Sequence, residues 1–516
     1  MRSLLVFIAF LLFIYACNVG VRYHQHLNLV SSGEVILTTH DGYRWLRYAE
    51  GDYEAGLDKL SGSPVSAAKM PDRPLLSELI RFFGGVPEIT GSYLAIFLSG
   101  LFIFPLGLLF YFAGFPAAGI GACLMGSLSF TYLSRTSAFM VDTDMLNLFF
   151  ISAGLLFAYL AGRGRAVLWS ACAGLSMYVF WRWYFHSGFT LIIFLLLIFA
   201  IHKEKVSRVI TSSVIYGSCA SPFVFVSGFR NIYEFIFGVE QGGIPTYSDV
   251  AELQVLGVMD TFGYISSVSS IALIGLVLSL LMGKRVIYLL PFYLLGMFAF
   301  IKGVRYSMFL APLCGAGVGI AFDYLFKDKL KVLGWSVVIS LMMLILLKPF
   351  LSFIPPKVVA DDVYTGVKHL RGLEKNAVIA SIWDHGFMVE YLAGRVAMSD
   401  GATQFKEGAR VFAQAIMSTD PYESAKLLAR GAKDRPVYLM FTPDIDSKIS
   451  QLAKTAGYDI SMHNAEIFLN ASDKINFKET MLFRLHILGE EGIKYFKPII
   501  NNNKGFSVYK VYVDSF

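Results

Sequence analysis

Up to about residue 355 the apolar positions form long, nearly unbroken stretches; beyond it they shorten into alternating and periodic segments. A bilayer core needs about 20 mostly apolar residues per helix. Such segments lie at 3–21, 92–113, 115–133, 144–162, 166–184, 187–202, 208–227, 267–283, 286–301, 304–323 and 331–350, which predicts eleven spans. The first apolar run, 4–16, has the length of a signal peptide, but no small-residue cleavage point follows it, so it is read as an uncleaved span. The later pattern differs. An apolar strand runs from Asn376 to Trp383, a buried one over 436–441 and an alternating one over 506–513. Helical periodicity appears near 404–417, 421–433 and 445–457. The expectation is a multi-pass membrane domain over 1–355, with outer loops 22–91 and 228–266, followed by a mixed α/β domain over 356–516.

Composition agrees: 55% of the 516 residues are hydrophobic. The net charge of +6 is modest and reads as an orientation signal rather than a nucleic-acid surface. Arg163 and Arg165, then Lys203, Lys205 and Arg208, then Lys284 and Arg285, then Lys327, Lys329 and Lys331 all fall on one side with Arg2. The positive-inside rule makes that side cytoplasmic. An odd number of spans puts residues 356–516 outside, together with both long loops and the turn at 140–144. All five cysteines lie in apolar runs, so the outer domain relies on no disulfide.

The outer side carries the chemistry. Asp142 and Asp144 interrupt an apolar region, and carboxylates at a membrane mouth need water, a partner or a metal. Hard oxygen ligands of this kind suit Mg²⁺ or Mn²⁺; hydrated helix-capping acids are the plainer alternative. Asp41 precedes Gly42 in a turn-like setting, and Glu252 sits in the second loop. Arg135 and Arg305 stand at membrane mouths, suited to a diphosphate or to snorkelling. Together three or four acids and two arginines fit a phosphate leaving group. In the outer domain Trp383-Asp384 ends a strand, where a carboxylate beside an aromatic wall can accept a hydroxyl hydrogen bond. A packed Trp and a turn Asp is the alternative. Asn470-Ala471-Ser472 is an Asn-x-Ser sequon.

These residues carry a family resemblance over nearly the whole chain. Asp41-Gly42-Tyr43, Ser134-Arg135-Thr136-Ser137 through Val141-Asp142-Thr143-Asp144-Met145-Leu146, Glu252, Lys302-Gly303-Val304-Arg305-Tyr306, Trp383-Asp384-His385-Gly386 and Asp400-Gly401 follow in order. In that order they resemble the motifs of a bacterial oligosaccharyltransferase of the PglB type, related to the eukaryotic catalytic subunit. The resemblance implies a helical polytopic membrane domain of the GT-C glycosyltransferase type with a periplasmic α/β domain. It implies en bloc, metal-dependent, inverting transfer of a glycan from a lipid-linked, undecaprenyl-type diphosphate to the asparagine of Asn-x-Ser/Thr sequons.

The resemblance also implies roles. Asp41, Asp142 and Glu252 would be catalytic and, with Asp144, would bind Mn²⁺ or Mg²⁺. Arg135 and Arg305 would hold the lipid diphosphate. Trp383 and Asp384 would read the acceptor hydroxyl, with Ile449 as the pocket aliphatic or simply a core residue. The enzyme would act as a single subunit in the bacterial cytoplasmic (inner) membrane, with its active site on the periplasmic side.

The chain departs from the family pattern in places. Ile382 stands where a Trp is usual, and Gln404 where a His is common. No counterpart is evident for the arginine that reads an acidic residue upstream of the acceptor. Eleven spans replace thirteen, through a missing hairpin or a segment hidden around 222–238. Two alternatives stand beside this reading. One is a related membrane glycosyltransferase using a lipid-phosphate sugar and another acceptor. The other is a transporter, which would place ionisable groups at the bilayer midplane.

Overall fold

The computed structural model describes residues 2–50, 74–184, 187–237, 254–326, 330–401, 407–433, 435–458, 477–502 and 505–512. The chain forms two compact units. One comprises Met1–Ser32, Ile89–Val239 and Val250–Pro356; the other comprises Gly33–Glu88, Glu240–Asp249 and Lys357–Phe516.

The first unit is helical, and every segment expected to span coincides with helix. Among the described residues, five helical runs are long and apolar enough to cross a bilayer: Arg2–Ser31, Pro87–Ala113, Asp144–Ala161, Ser269–Phe300 and Val304–Leu325. Two bent pairs, Pro116–Leu128 with Phe130–Thr136 (53°) and Val206–Ala220 with Pro222–Tyr233 (86°), raise the number to seven. The chain is thus a multi-pass membrane protein. The run Ser269–Phe300 doubles back at Gly283, whose φ of 62° is not helical. Ser279 Oγ hydrogen-bonds the Tyr293 hydroxyl, fourteen residues on. A straight helix would hold those residues about 21 Å apart, so Lys284 and Arg285 sit at a turn, as the charge pattern predicts.

Two loop boundaries differ from expectation. The first helix continues to Ser31 instead of stopping near 21. The loop expected over 228–266 begins and ends in helix, Pro222–Phe237 and Val258–Gly263.

Lipid tails are as apolar as leucine, so helix association in a membrane depends on close backbone approach. Glycines supply it here. A Cβ on Gly317 would stand 1.5 Å from the Gly275 carbonyl oxygen, and one on Gly121 2.1 Å from that of Gly315. These contacts join Ser307–Leu325 to Ser269–Ser279 and to Pro116–Leu128.

Among the described residues the second unit is built on five strands: β1 (Val378–Ala380), β2 (Val396–Ala397), β3 (Val437–Phe441), β4 (Phe496–Asn502) and β5 (Phe506–Val511). Their order is β2-β1-β3-β5-β4. β1 is parallel to β2 and β3, whereas β5 is antiparallel to β3 and β4. The predicted strands at 376–383, 436–441 and 506–513 therefore become β1, β3 and β5, at the middle of the sheet. The predicted helices appear as Glu407–Met417, Pro421–Gly431 and Ile449–Ala456. Asp420 starts the second of these by accepting a hydrogen bond from Tyr422 N at 2.8 Å, with Pro421 as the first helical residue. Phe412, Ile416, Leu428 and Leu452 join Val378, Leu439 and Phe441 in one buried cluster.

Residues 33–50 and 74–88 belong to this unit although they precede most of the membrane helices in sequence. Val358 N donates to Leu37 O at 2.9 Å, and Lys368 pairs with Glu34 at 3.2 Å. Helices Gly42–Glu50 and Leu75–Phe83 meet where Ser77 Oγ donates to Trp45 O at 2.8 Å.

Candidate functional site

In the first unit the acids and the arginine singled out from the sequence come together. Arg135 closes the short helix Phe130–Thr136, and Asp144 opens the helix Asp144–Ala161. Arg135 Nε forms an ion pair with Asp144 Oδ2, and its Nη2 lies 3.7 Å from Asp142 Oδ2. Asp144 Oδ1 accepts from Asn147 Nδ2 at 2.8 Å. Asp142 Oδ1 turns back onto Thr143 N at 2.6 Å. The Asp144 side chain is 2% exposed and that of Asp142 14%. A buried carboxylate requires such partners, because desolvation otherwise penalises its charge.

The chain around these residues is held in place from several directions. Arg22, fully buried in the first helix, donates from Nε to Thr136 O at 2.7 Å and from Nη2 to Thr136 Oγ1. It thereby satisfies a carbonyl at the end of the helix that carries Arg135. Trp183 Nε1 donates to Thr143 O at 2.7 Å, pinning the residue between the two acids. Before them, Phe139 has φ of 63°. A left-handed backbone at a bulky residue costs about 1–3 kcal/mol and persists only where the surroundings enforce it. Here Phe139 N donates to Ser92 Oγ at 3.2 Å, and the ring stacks 5.1 Å from His26.

Asp144 and Arg305 also line one cavity of about 270 Å³. Asn147, Tyr184 and Asn231 add polar groups, while Ile151, Phe180, Leu294 and Phe309 make apolar walls. Asn147 Oδ1 is buried without a hydrogen-bond partner. An amphipathic cavity of this kind suits a lipid chain with a polar head.

In the second unit, three loops leave the same edge of the sheet because β1, β2 and β3 are parallel neighbours. They are the turn after β1 with Trp383–His385, the segment 399–401 after β2 and the turn after β3 at 442–444. The C-terminal edge of parallel strands is where such sheets bind ligands. Gly386 is required there: a Cβ on it would stand 2.2 Å from Ser399 O. Asp41 reaches the same edge. Its Oδ1 lies 3.1 Å from where a Cβ on Gly401 would be.

Arg44, one helical turn on from Asp41, lies over the rings of Trp45, Tyr48 and Phe387 at 5.3–5.7 Å. Burial alone would depress its guanidinium, yet Tyr48, Asp41 and Asp400 hold it above the ordinary value. Asp384 is paired with Lys448, whose Nζ lies 5.8 Å from the centre of the Trp383 ring. Trp383, Ile382 and Ile449 are all at least 94% buried, in one apolar cluster. The isoleucine at 382 thus packs inward, and Ile449 is a core residue close to the motif in the fold.

Asp41, Trp383, Asp384 and Ile449 belong to the second unit, and Arg135, Asp142, Asp144 and Arg305 to the first. Glu252, Gln404 and the sequon at 470–472 lie outside the described residues. Sequence reasoning missed Arg22, Asn147, Trp183, Arg44 and Lys448. Only Lys448 offered a signal, as a neighbour of Ile449.

The chain thus combines a polytopic helical unit with a unit built on an α/β sheet that has a polar edge. No family model matches the chain. Among curated proteins it is similar to the undecaprenyl-diphosphooligosaccharide–protein glycotransferase of Campylobacter jejuni, in two strains, at 22% identity over 75% of this chain. The chain spans 63% of the length of those relatives. They are of the type that the motifs resemble.

Among solved structures it shares the fold of the oligosaccharyltransferase of Archaeoglobus fulgidus. The apo form has a TM-score of 0.69 at 12% identity, over 96% of this chain and 80% of the other. The complex of that protein with an inhibitory peptide and a dolichol-phosphate has a TM-score of 0.68, and the complex with zinc and sulfate 0.63. Both are 13% identical, over 96% of this chain and 79% of the other.

Proposed function

We propose that this protein is an oligosaccharyltransferase, moving a glycan en bloc from a lipid-linked, undecaprenyl-type diphosphate to the asparagine of Asn-x-Ser/Thr sequons. The observation that carries the reading is the cavity whose apolar walls end at Asp144, Asn147, Tyr184 and Arg305. It offers a lipid chain an apolar surface and a phosphate a fixed cation. The Campylobacter relatives are named for an undecaprenyl-linked donor, and the archaeal neighbour is a complex with a dolichol-phosphate and a peptide.

Arg305 lines that cavity and fits the diphosphate oxygens. Arg135 is already committed to Asp142 and Asp144. It therefore holds those carboxylates in place, and its own charge remains near the leaving group. The donor chemistry of Asp142 and Asp144 fits Mg²⁺ or Mn²⁺, and these two are proposed as ligands; Asp41 and Glu252 are carried by the resemblance alone. Such an ion, when bound, stabilises the charge that develops on a departing phosphate.

Asp384 accepts the hydrogen bond of the Ser or Thr hydroxyl two residues after the acceptor asparagine, against the indole of Trp383. Orientation by that contact makes transfer depend on the hydroxyl. The amide nitrogen attacks the anomeric carbon directly, in a single displacement with inversion that requires no Ser, Cys or His nucleophile. Single-subunit action at the periplasmic face of the inner membrane completes the proposal.

Purified chain should transfer a lipid-linked glycan to an Asn-x-Thr peptide, fail with Asn-x-Ala, and stop when EDTA replaces Mn²⁺. Transfer to a non-asparagine acceptor from a lipid-phosphate sugar would instead establish the related glycosyltransferase reading.

A further inference from the structure

Three side chains with no part in glycan transfer meet at the polar edge of the sheet. His385 follows Asp384 and is fully buried. Its Nε2 lies 3.0 and 3.1 Å from the two carboxylate oxygens of Asp444, and 3.0 Å from Thr442 Oγ1. His40, the residue before Asp41, sets its ring edge-to-face against His385, with centroids 4.9 Å apart. One nitrogen from each histidine and one Asp444 oxygen all lie within 4.8 Å of one another. Nδ1 of His40 and Nδ1 of His385 are both buried with no hydrogen-bond partner. A buried polar atom left unpaired is destabilising, and two occur in this one cluster.

We propose that His40, His385 and Asp444 form a binding site for a zinc-type divalent cation, distinct from the hard cation of the transferase reading. Two imidazoles and one carboxylate are the donors that borderline transition metals select, in contrast to the all-oxygen sets of Mg²⁺. The spacing is compatible. Ligands at about 2.0–2.1 Å from a tetrahedral zinc stand about 3.3 Å from each other, and His385 Nε2 lies 3.0 Å from Asp444 Oδ1.

The fourth position falls to water or to the Thr442 hydroxyl.

A cation here would tie together three segments distant in sequence: the stretch before helix Gly42–Glu50, the turn after β1 and the turn after β3. The middle one carries Trp383 and Asp384, so the ion would fix their orientation without touching substrate. The inference does not depend on the transferase reading.

The test uses tag-free full-length protein in detergent, stripped with EDTA, loaded with Zn²⁺ and desalted, with metal measured by mass spectrometry. Wild type should retain about one zinc per chain, and His40→Asn, His385→Asn and Asp444→Asn almost none. Asp142→Asn should retain it. Wild-type protein without zinc, or undiminished zinc in His40→Asn, would overturn the proposal. A second measurement needs no variant: wild type loaded with Co²⁺ should show the intense visible bands of four-coordinate cobalt. A weak six-coordinate spectrum would equally overturn it.

Discussion

Lys448 holds the carboxylate of Asp384 while lying 5.8 Å from the centre of the Trp383 ring. The ammonium therefore sits on both halves of the proposed hydroxyl reader. Both side chains are about a quarter exposed, so the pair contributes modestly to stability and its chief effect is on where the carboxylate points. Lys448→Met should raise KM for an Asn-x-Thr peptide about tenfold or somewhat more, as loss of a charged hydrogen bond of about 1.5–3 kcal/mol allows, with a small change in thermal midpoint. Asp384→Asn should compress the preference for Asn-x-Thr over Asn-x-Ala. A fall in KM for Lys448→Met would show that lysine competes with the acceptor instead of positioning its partner.

Arg135 and Asp144 set up a sharper test, because both are almost excluded from solvent. Removing one member of a buried pair leaves an uncompensated charge and costs about 3–5 kcal/mol. Arg135→Met should therefore lower the unfolding midpoint in detergent steeply. Arg135→Met with Asp144→Asn should recover most of that loss while remaining inactive, because the carboxylate proposed to hold the cation is gone. Equal stability of the single and double variants would sink the claim that Arg135 is there chiefly to compensate Asp144.

The expected elements were legible wherever the signal was local. The apolar run ending at Trp383 is β1, and Lys284-Arg285 marked a true turn. What escaped depends on contacts far apart in sequence. Val396–Ala397 is too short to show a period, yet as β2 it pairs with β1 and places Asp400 and Gly401 at the sheet edge. The hydrogen bond from Val358 to Leu37, which joins residues 33–50 to the second unit, leaves no trace in either stretch. The sharp bend between Ala220 and Pro222 breaks the segment read as one span over 208–227, and the helix Pro222–Phe237 runs on into the expected loop, where a hidden segment around 222–238 was the second explanation for the low span count. The acids and arginine of the first unit were readable as chemical types, but their pairing was not. Arg135 is ion-paired with both acids, which neither motif shows by itself.

Gly386 faces the Ser399 carbonyl so closely that a Cβ would approach to 2.2 Å. That oxygen belongs to backbone and cannot swing aside. Gly386→Ala should cost about 1–3 kcal/mol, as overpacking does, and should disturb Asp384 two residues earlier. The measurable consequence is a lower thermal midpoint together with a reduced preference for Asn-x-Thr. Gly394→Ala is the contrast, since nothing lies within 4 Å of its added Cβ, although its φ of 60° adds some strain. It should leave acceptor preference untouched.

Glu374 provides a pH-dependent test away from the proposed active site. It accepts hydrogen bonds from the Tyr438 hydroxyl at 2.6 Å and from Lys510 Nζ at 3.0 Å. The Tyr438 bond first, then its own backbone and Lys510, lower the carboxyl from 4.5 to about 2. A carboxyl depressed on folding contributes stability that is full above its unfolded value and is lost as pH falls through its folded value. The contribution of Glu374 should thus be constant above about 4.5 and vanish between there and about 2. Its side chain is 44% exposed, so solvent and salt screen the pair. Glu374→Gln should therefore sit only slightly below wild type in thermal midpoint at neutral pH. Acidification should close that gap, and raising the salt concentration should narrow it at neutral pH. A gap that widens on acidification would reverse the sign and remove the ion pair from the account of how β3 and β5 are held.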